Sequence, residues 1–397
     1  RLLHTLPRGP LALRPQLSRP KPLPCLHQQR RQQGSFRTNV RYFVRGNPYA
    51  AALAVGIFVM GIVGSLAVAY HYEVNIIRPY HNYPEEVAKK LRRASFFTHQ
   101  QLEPREAIKY YRQAIEVANE LGMDPFSDEI MGIKLAVVAL LERIRLYDKA
   151  IEFLERMHAN NLDWMEQLGG LPRNKKKRTR VLARTVAISI KLGELYTDPT
   201  IWDRDTATQR FSWAVETILS EKARRRRLGI ADDGDEGAWL SDDETGAALE
   251  ALAHAYERQH LHHFATPLFL HALALHPPDH CHTITLMANL AATLAQQSPR
   301  AAHELQLPLD SAQLLATARQ WATKALDAAA RIQPPDRTEE CDIGCAVATH
   351  HLGELAERAA DAHAARAYYQ RALALAKKVR FQEGVRNAET RLAALAE

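Results

Sequence analysis

HLGELAERAADAHAARAYYQRALALAKKV, residues 351–379, places Leu352, Gly353 and Ala356 on one helical face and, after a short break, Ala365, Tyr369 and Ala372 on another. The same six positions recur 100 residues earlier in ALAHAYERQHLHHFATPLFLHALALHPP, residues 251–278, as Leu252, Ala253, Tyr256, Ala265, Phe269 and Ala272, closed by Pro277. Small residues at such spacing let two antiparallel helices approach closely, and the aromatic fills the gap to the next pair. The pattern therefore predicts a hairpin of two helices, A and B, that cannot bury its apolar face alone and must stack on copies of itself.

Those copies are present. Leu192, Gly193 and Tyr196, then Ala207, Phe211 and Ala214, repeat the pattern with two extra residues in the turn. Leu290, Ala291 and Leu294, then Ala318, Ala322 and Ala325, repeat it around a long loop near residues 298–310. Val137, Val138, Leu141, Ala150 and Leu154 give a degenerate unit, and Ala107, Tyr111 and Ala114 a B helix near the start. This is the grammar of the tetratricopeptide repeat (TPR), in about six units. The tail 381–397, with Phe381, Val385, Ala388, Leu392 and Leu395 on one side, reads as a capping helix. The expected fold is all-α: a TPR-like solenoid over 104–380, with 72–103 as a juxtamembrane linker and first helix. Pro267 departs from the pattern and is tolerable if its helix starts near His263, leaving the proline in the first turn.

The second copy also holds six of the 18 histidines. They mostly fall between the packing positions, and His260, His262 and His263 are too close together to share one helix face, so no metal site is expected there.

The formal net charge of +7 is unevenly placed. Ten of the 52 basic residues and none of the 45 acidic ones precede Glu73, which leaves 42 against 45, a net of −3, for the remainder. The repeats are thus slightly acidic and no nucleic-acid partner is expected. Residues 1–48, rich in Arg, Leu, Pro and Gln, have the composition of a mitochondrial targeting segment and should be largely disordered. Residues 49–71 begin with the uncharged run YAAALAVGIFVMGIVGSLAVAY, whose length as a helix, about 33 Å, matches a bilayer core. Gly61, Ser65 and Ala69 form a small face where a second membrane helix could approach. With positive charge retained on the matrix side, the N-terminus is expected in the matrix and the repeats in the intermembrane space of a single-pass inner-membrane protein.

Two charged insertions interrupt the repeats near 168–180 and 223–246. Their KKKR and RRRR runs are read as solvated loops rather than nucleic-acid contacts, and Ser241 with Glu244 as a capping box. Cys341 and Cys345 lie one helical turn apart and could be oxidised together, but buried thiols are the expectation. Zinc on Cys281 with His280 and His282 is disfavoured. Nucleotide loops, nucleophile elbows and HExxH are absent, so neither an enzyme, nor a catalytic residue, nor a cofactor is expected.

A solenoid binds through its concave surface, lined by A-helix residues beside the packing positions. In register, those are Glu194, Glu250, His254, Glu257, His350, Glu354 and Glu357. The lining leans acidic and lacks the Lys, Arg and Asn set needed to clamp carboxylates, which suits basic or partly unfolded polypeptide.

A basic presequence, one span, and HYEVNIIRPYHNYPEEVAKKLRRA leading into degenerate repeats resemble the fungal TPR-containing adaptor subunit of the mitochondrial inner-membrane i-AAA protease. The resemblance runs from about Tyr49 onward and is most specific over Tyr72–Ala94, where Pro84, Glu85 and Glu86 also make a helix start. It implies a non-catalytic adaptor. Its partners would be the i-AAA protease, the other membrane adaptor subunits and misfolded or unfolded substrate proteins in quality control. A mitochondrial TPR import receptor or assembly-factor scaffold is the alternative.

Overall fold

The computed structural model describes residues 36–232, 234–298 and 310–395; the targeting tract expected over 1–48 falls mostly outside them. The chain divides into two units, residues 1–79 and 80–397.

The first unit holds α1 (Phe36–Gly46) and α2 (Pro48–Tyr72). Pro48 opens α2, where a missing N–H costs nothing. Leu53, Phe58, Met60 and Leu66 are all exposed along α2, and the helix is long and apolar enough to cross a membrane. Within it Ser65 Oγ donates to the Gly61 carbonyl at 2.8 Å, which satisfies the hydroxyl without a partner helix.

The second unit is a solenoid of helix pairs: α3 (Glu85–His99) with α4 (Pro104–Glu120), α5 (Asp128–Arg143) with α6 (Tyr147–Leu168), α7 (Lys175–Tyr196) with α8 (Arg204–Leu228), α9 (Asp242–Arg258) with α10 (His262–Leu275), α11 (Cys281–Gln296) with α12 (Ser311–Arg331), and α13 (Glu339–Arg358) with α14 (Ala362–Lys378). The last helix, α15 (Gln382–Ala394), packs on α14 as the cap. The solenoid begins earlier than 104, because Val87, Leu91 and Ala94 of α3 are buried against Ala107, Tyr111 and Ala114 of α4. The linker's helix is therefore the A helix of the first repeat.

The packing positions behave as their sizes require. Tyr369, Phe269 and Phe211 are buried. A Cβ added to Gly353 would meet Tyr369 Cε1 at 2.7 Å, and one added to Gly193 would meet Phe211 Cζ at 2.6 Å. These two glycines are there because a ring occupies the space of a side chain.

The tight A-to-B turns share one device. Arg145, His260 and Ala360 are left-handed (φ 59°), as is Arg380 (φ 54°) before the cap. In each, the next residue's N–H returns to a carbonyl five residues back, as Asp361 does to Ala356 at 3.0 Å and Leu261 to Tyr256 at 2.9 Å. His260 is thus a turn residue, of a type that tolerates this conformation better than most.

Three expectations are corrected. Pro267 is the sixth residue of α10 and lies in its second turn, so it removes the bond it would have given to the His263 carbonyl. The KKKR run begins α7, and the RRRR run is the last turn of α8, stopped by left-handed Gly229; the connections are shorter than the expected loops. Part of this charge is paired inside the fold: buried Glu221 accepts from Arg224 and Arg225, and Arg178 of α7 reaches it at 3.3 Å. Finally, Cys281 and Cys341 form a disulfide and Cys345 is a buried free thiol. Cys281 opens α11 and Cys341 lies in the first turn of α13, so the register of neighbouring repeats brings them together, while Cys345 sits one turn further along.

Candidate functional site

Six of the seven residues expected to line the groove fall into two clusters of hydrogen bonds and ion pairs. The first starts on α9, where Glu250, His254 and Glu257 occupy successive turns of one face. His254 Nδ1 lies 2.7 Å from Glu257 and its Nε2 lies 3.4 Å from Glu250. Glu250 also meets His282 Nε2 of α11 at 2.9 Å, and the other nitrogen of that ring meets Glu340 of α13 at 2.6 Å. Thr293 of α11 donates to Glu257. Carboxylate and imidazole alternate across the A helices of three consecutive repeats.

The electrostatics follow from this alternation. Burial disfavours a charged His254, but the bonds to Glu250 and Glu257 outweigh it and raise its pKa to about 9. His282 is raised to about 9 chiefly by Glu250, against burial and with help from Glu340. Glu250 pays for burial in the opposite sense, yet its two imidazole partners hold it at about 2. The cluster is therefore a set of charged pairs at neutral pH.

The second cluster closes the solenoid. On α13, His351 Nδ1 lies 2.8 Å and His350 Nε2 3.7 Å from Glu354, whose pKa is depressed: burial would raise it, but the two imidazoles prevail. Tyr369 donates to Glu357 at 2.7 Å, and Arg391 of the cap reaches Glu354 and Glu357 at 3.7 Å each. Glu194 stands apart: it is exposed on α7 and pairs with Lys191 at 3.2 Å.

Each carboxylate of that set is engaged within the chain. His282, Glu340 and Arg391 were missed because the residues they join are far apart in sequence; Glu250 and His282 are adjacent only once α9 and α11 are stacked. Gly61, Ser65 and Ala69, expected to pack against a second membrane helix, fall at four-residue spacing along α2, and a Cβ on Gly61 would meet no atom within 4 Å. Among the described residues, no three His, Cys, Asp or Glu side chains are placed to hold a metal ion.

No protein-family model matches the chain. A TPR repeat-containing protein of Schizosaccharomyces pombe (strain 972) is 28% identical over 309 residues, covering 76% of each chain. The six stacked pairs, with small and aromatic residues in the repeat's register, settle the architecture. The chain is a TPR-like repeat protein. Among solved structures, this TPR-like protein is similar to BtubC from P. vanneervenii (14% identity, TM-score 0.42, covering 75% of this chain and 91% of that one). It is also similar to a Podospora anserina putative kinesin light chain with TPR-like repeats (14%, TM-score 0.37, 64% and 99%). Its stacked helix pairs form an extended surface of the kind that binds other proteins.

Proposed function

We propose that the chain is a membrane-anchored, non-catalytic adaptor. The repeats bind partly unfolded proteins in the mitochondrial intermembrane space, and α2 holds them in the inner membrane beside the i-AAA protease and its other membrane adaptor subunits. The A-helix face carrying Glu194, Glu250, His254, Glu257, His350, Glu354 and Glu357 is the proposed contact for substrate, and Gly61, Ser65 and Ala69 the proposed contact for a neighbouring membrane helix. The observation that carries the reading is the Cys281–Cys341 disulfide within the repeats, downstream of an apolar helix that is itself preceded by basic, acid-free sequence. Disulfides persist in oxidising compartments and are rare in the cytosol, nucleus or matrix. That favours an intermembrane-space address over an import receptor facing the cytosol. An assembly-factor scaffold in the same compartment is the second reading.

The topology is tested by adding protease to intact mitochondria. The repeats should be protected until the outer membrane is ruptured. Digestion in intact mitochondria would support the import receptor, and protection after rupture would place the repeats in the matrix.

A further inference from the structure

We propose that the face of α7 together with the segment 236–240 binds an acidic polypeptide segment. A cleft of about 340 Å³ lies there, lined by Lys176, Arg180 and Arg184 at four-residue spacing along α7 and by Trp239 of the segment 236–240. Four-residue spacing stacks the three cations on one helical face.

The acidic residues of the cleft are already engaged. Asp128 accepts from Arg184 at 3.1 Å, Glu236 accepts from Arg224, and Glu244 accepts from the Ser241 N–H at 2.8 Å in the capping box of α9. Lys176 and Arg180 have no carboxylate partner at hydrogen-bond distance among the described residues. Arg180 acts only at longer range on Asp124, whose carboxylate is bonded to Lys177 at 2.8 Å. Arg180 Nε and Trp239 Nε1 are buried without an acceptor and face away from solvent, so the groups a docked chain would meet are the exposed Lys176 amine and the terminal nitrogens of the Arg180 guanidinium. Two cations without a carboxylate partner, one helical turn apart on the same face, leave this wall of the cleft short of negative charge. Carboxylates supply acceptors and charge together, and the guanidinium of Arg180 binds them in a geometry a lysine cannot copy. The cleft is open to the surface and runs along α7, which fits an extended chain rather than an enclosed small ligand. This site stands independently of the membrane topology and of the protease.

The test uses the full chain in detergent and a dye-labelled, amidated peptide of alternating Glu and Ser, read by fluorescence anisotropy at low salt. The account predicts that it binds more tightly than the matching Gln/Ser peptide, and that salt weakens it. Lys176→Gln with Arg180→Gln should lower affinity roughly tenfold, while Arg319→Gln on α12 leaves it unchanged. Should the double variant lose helicity by circular dichroism, the exposed Lys176→Gln alone carries the test and should give a smaller loss. Equal binding of the two peptides, or an undiminished affinity in the folded variant, overturns the proposal.

Discussion

His282 on α11 holds its Nε2 2.9 Å from Glu250 on α9, so that one repeat is tied to the next through a carboxylate–imidazolium pair. The pH dependence of stability follows from it. His254 and His282 have folded-state values of about 9, above the ordinary 6.5, so their contribution is complete below pH 6.5 and is lost as pH rises toward 9. Glu250 is depressed from 4.5 to about 2, so its contribution is present above pH 4.5 and is lost as pH falls toward 2. Thermal unfolding should accordingly show falling Tm between pH 6.5 and 9, and His282→Gln should flatten that slope. Parallel slopes for the two proteins would show that the pair does not couple the repeats.

Gly353→Ala should destabilise by about 1–3 kcal/mol, because the new methyl must displace the buried Tyr369 ring. Chemical denaturation reads this directly. A neutral result would mean the ring can move aside freely.

Ala360→Gly should act in the opposite direction. Ala360 is held at φ 59°, where a Cβ is strained and glycine is not, so a gain of roughly 0.5–1 kcal/mol is expected after the added chain entropy of glycine. The gain should appear as a raised Tm without a change in helicity.

Reduction of Cys281–Cys341, or Cys281→Ala, should lower stability by about 2–4 kcal/mol, since the bond closes a segment of 60 residues. Denaturation with and without a reductant measures it, and Cys345→Ala should leave the reductant effect in place.

The fold was legible because its decisive residues are local. Leu352, Gly353, Tyr369 and Ala372 sit within one hairpin, and their sizes dictate how its two helices meet. Even the start of α9 was readable, because Ser241 and Glu244 cap within four residues. What escaped were relations between repeats. Cys281 finds Cys341 and not its neighbour Cys345 because stacked A helices align their first turns. The RRRR run looked like a loop because charge was read without its partner, buried Glu221 one turn away. The A-helix glutamates could be read from the sequence but their pairing could not, since Arg391 and His282 reach them only across the stack.

Gly61→Leu with Ser65→Leu should leave membrane insertion intact and weaken recovery of a membrane partner, because both changes raise apolarity while filling the small face of α2. Full recovery with the variant would assign the contact to another face.

The adaptor reading is tested most directly by isolating a proteolytically inactive i-AAA protease in mild detergent from mitochondria with and without this chain, and measuring the unfolded intermembrane-space protein bound to it. The account predicts that the chain co-purifies with the protease and that its loss sharply lowers bound substrate. Absence of the chain from the isolated protease, with the same substrate load in its absence, would contradict the account.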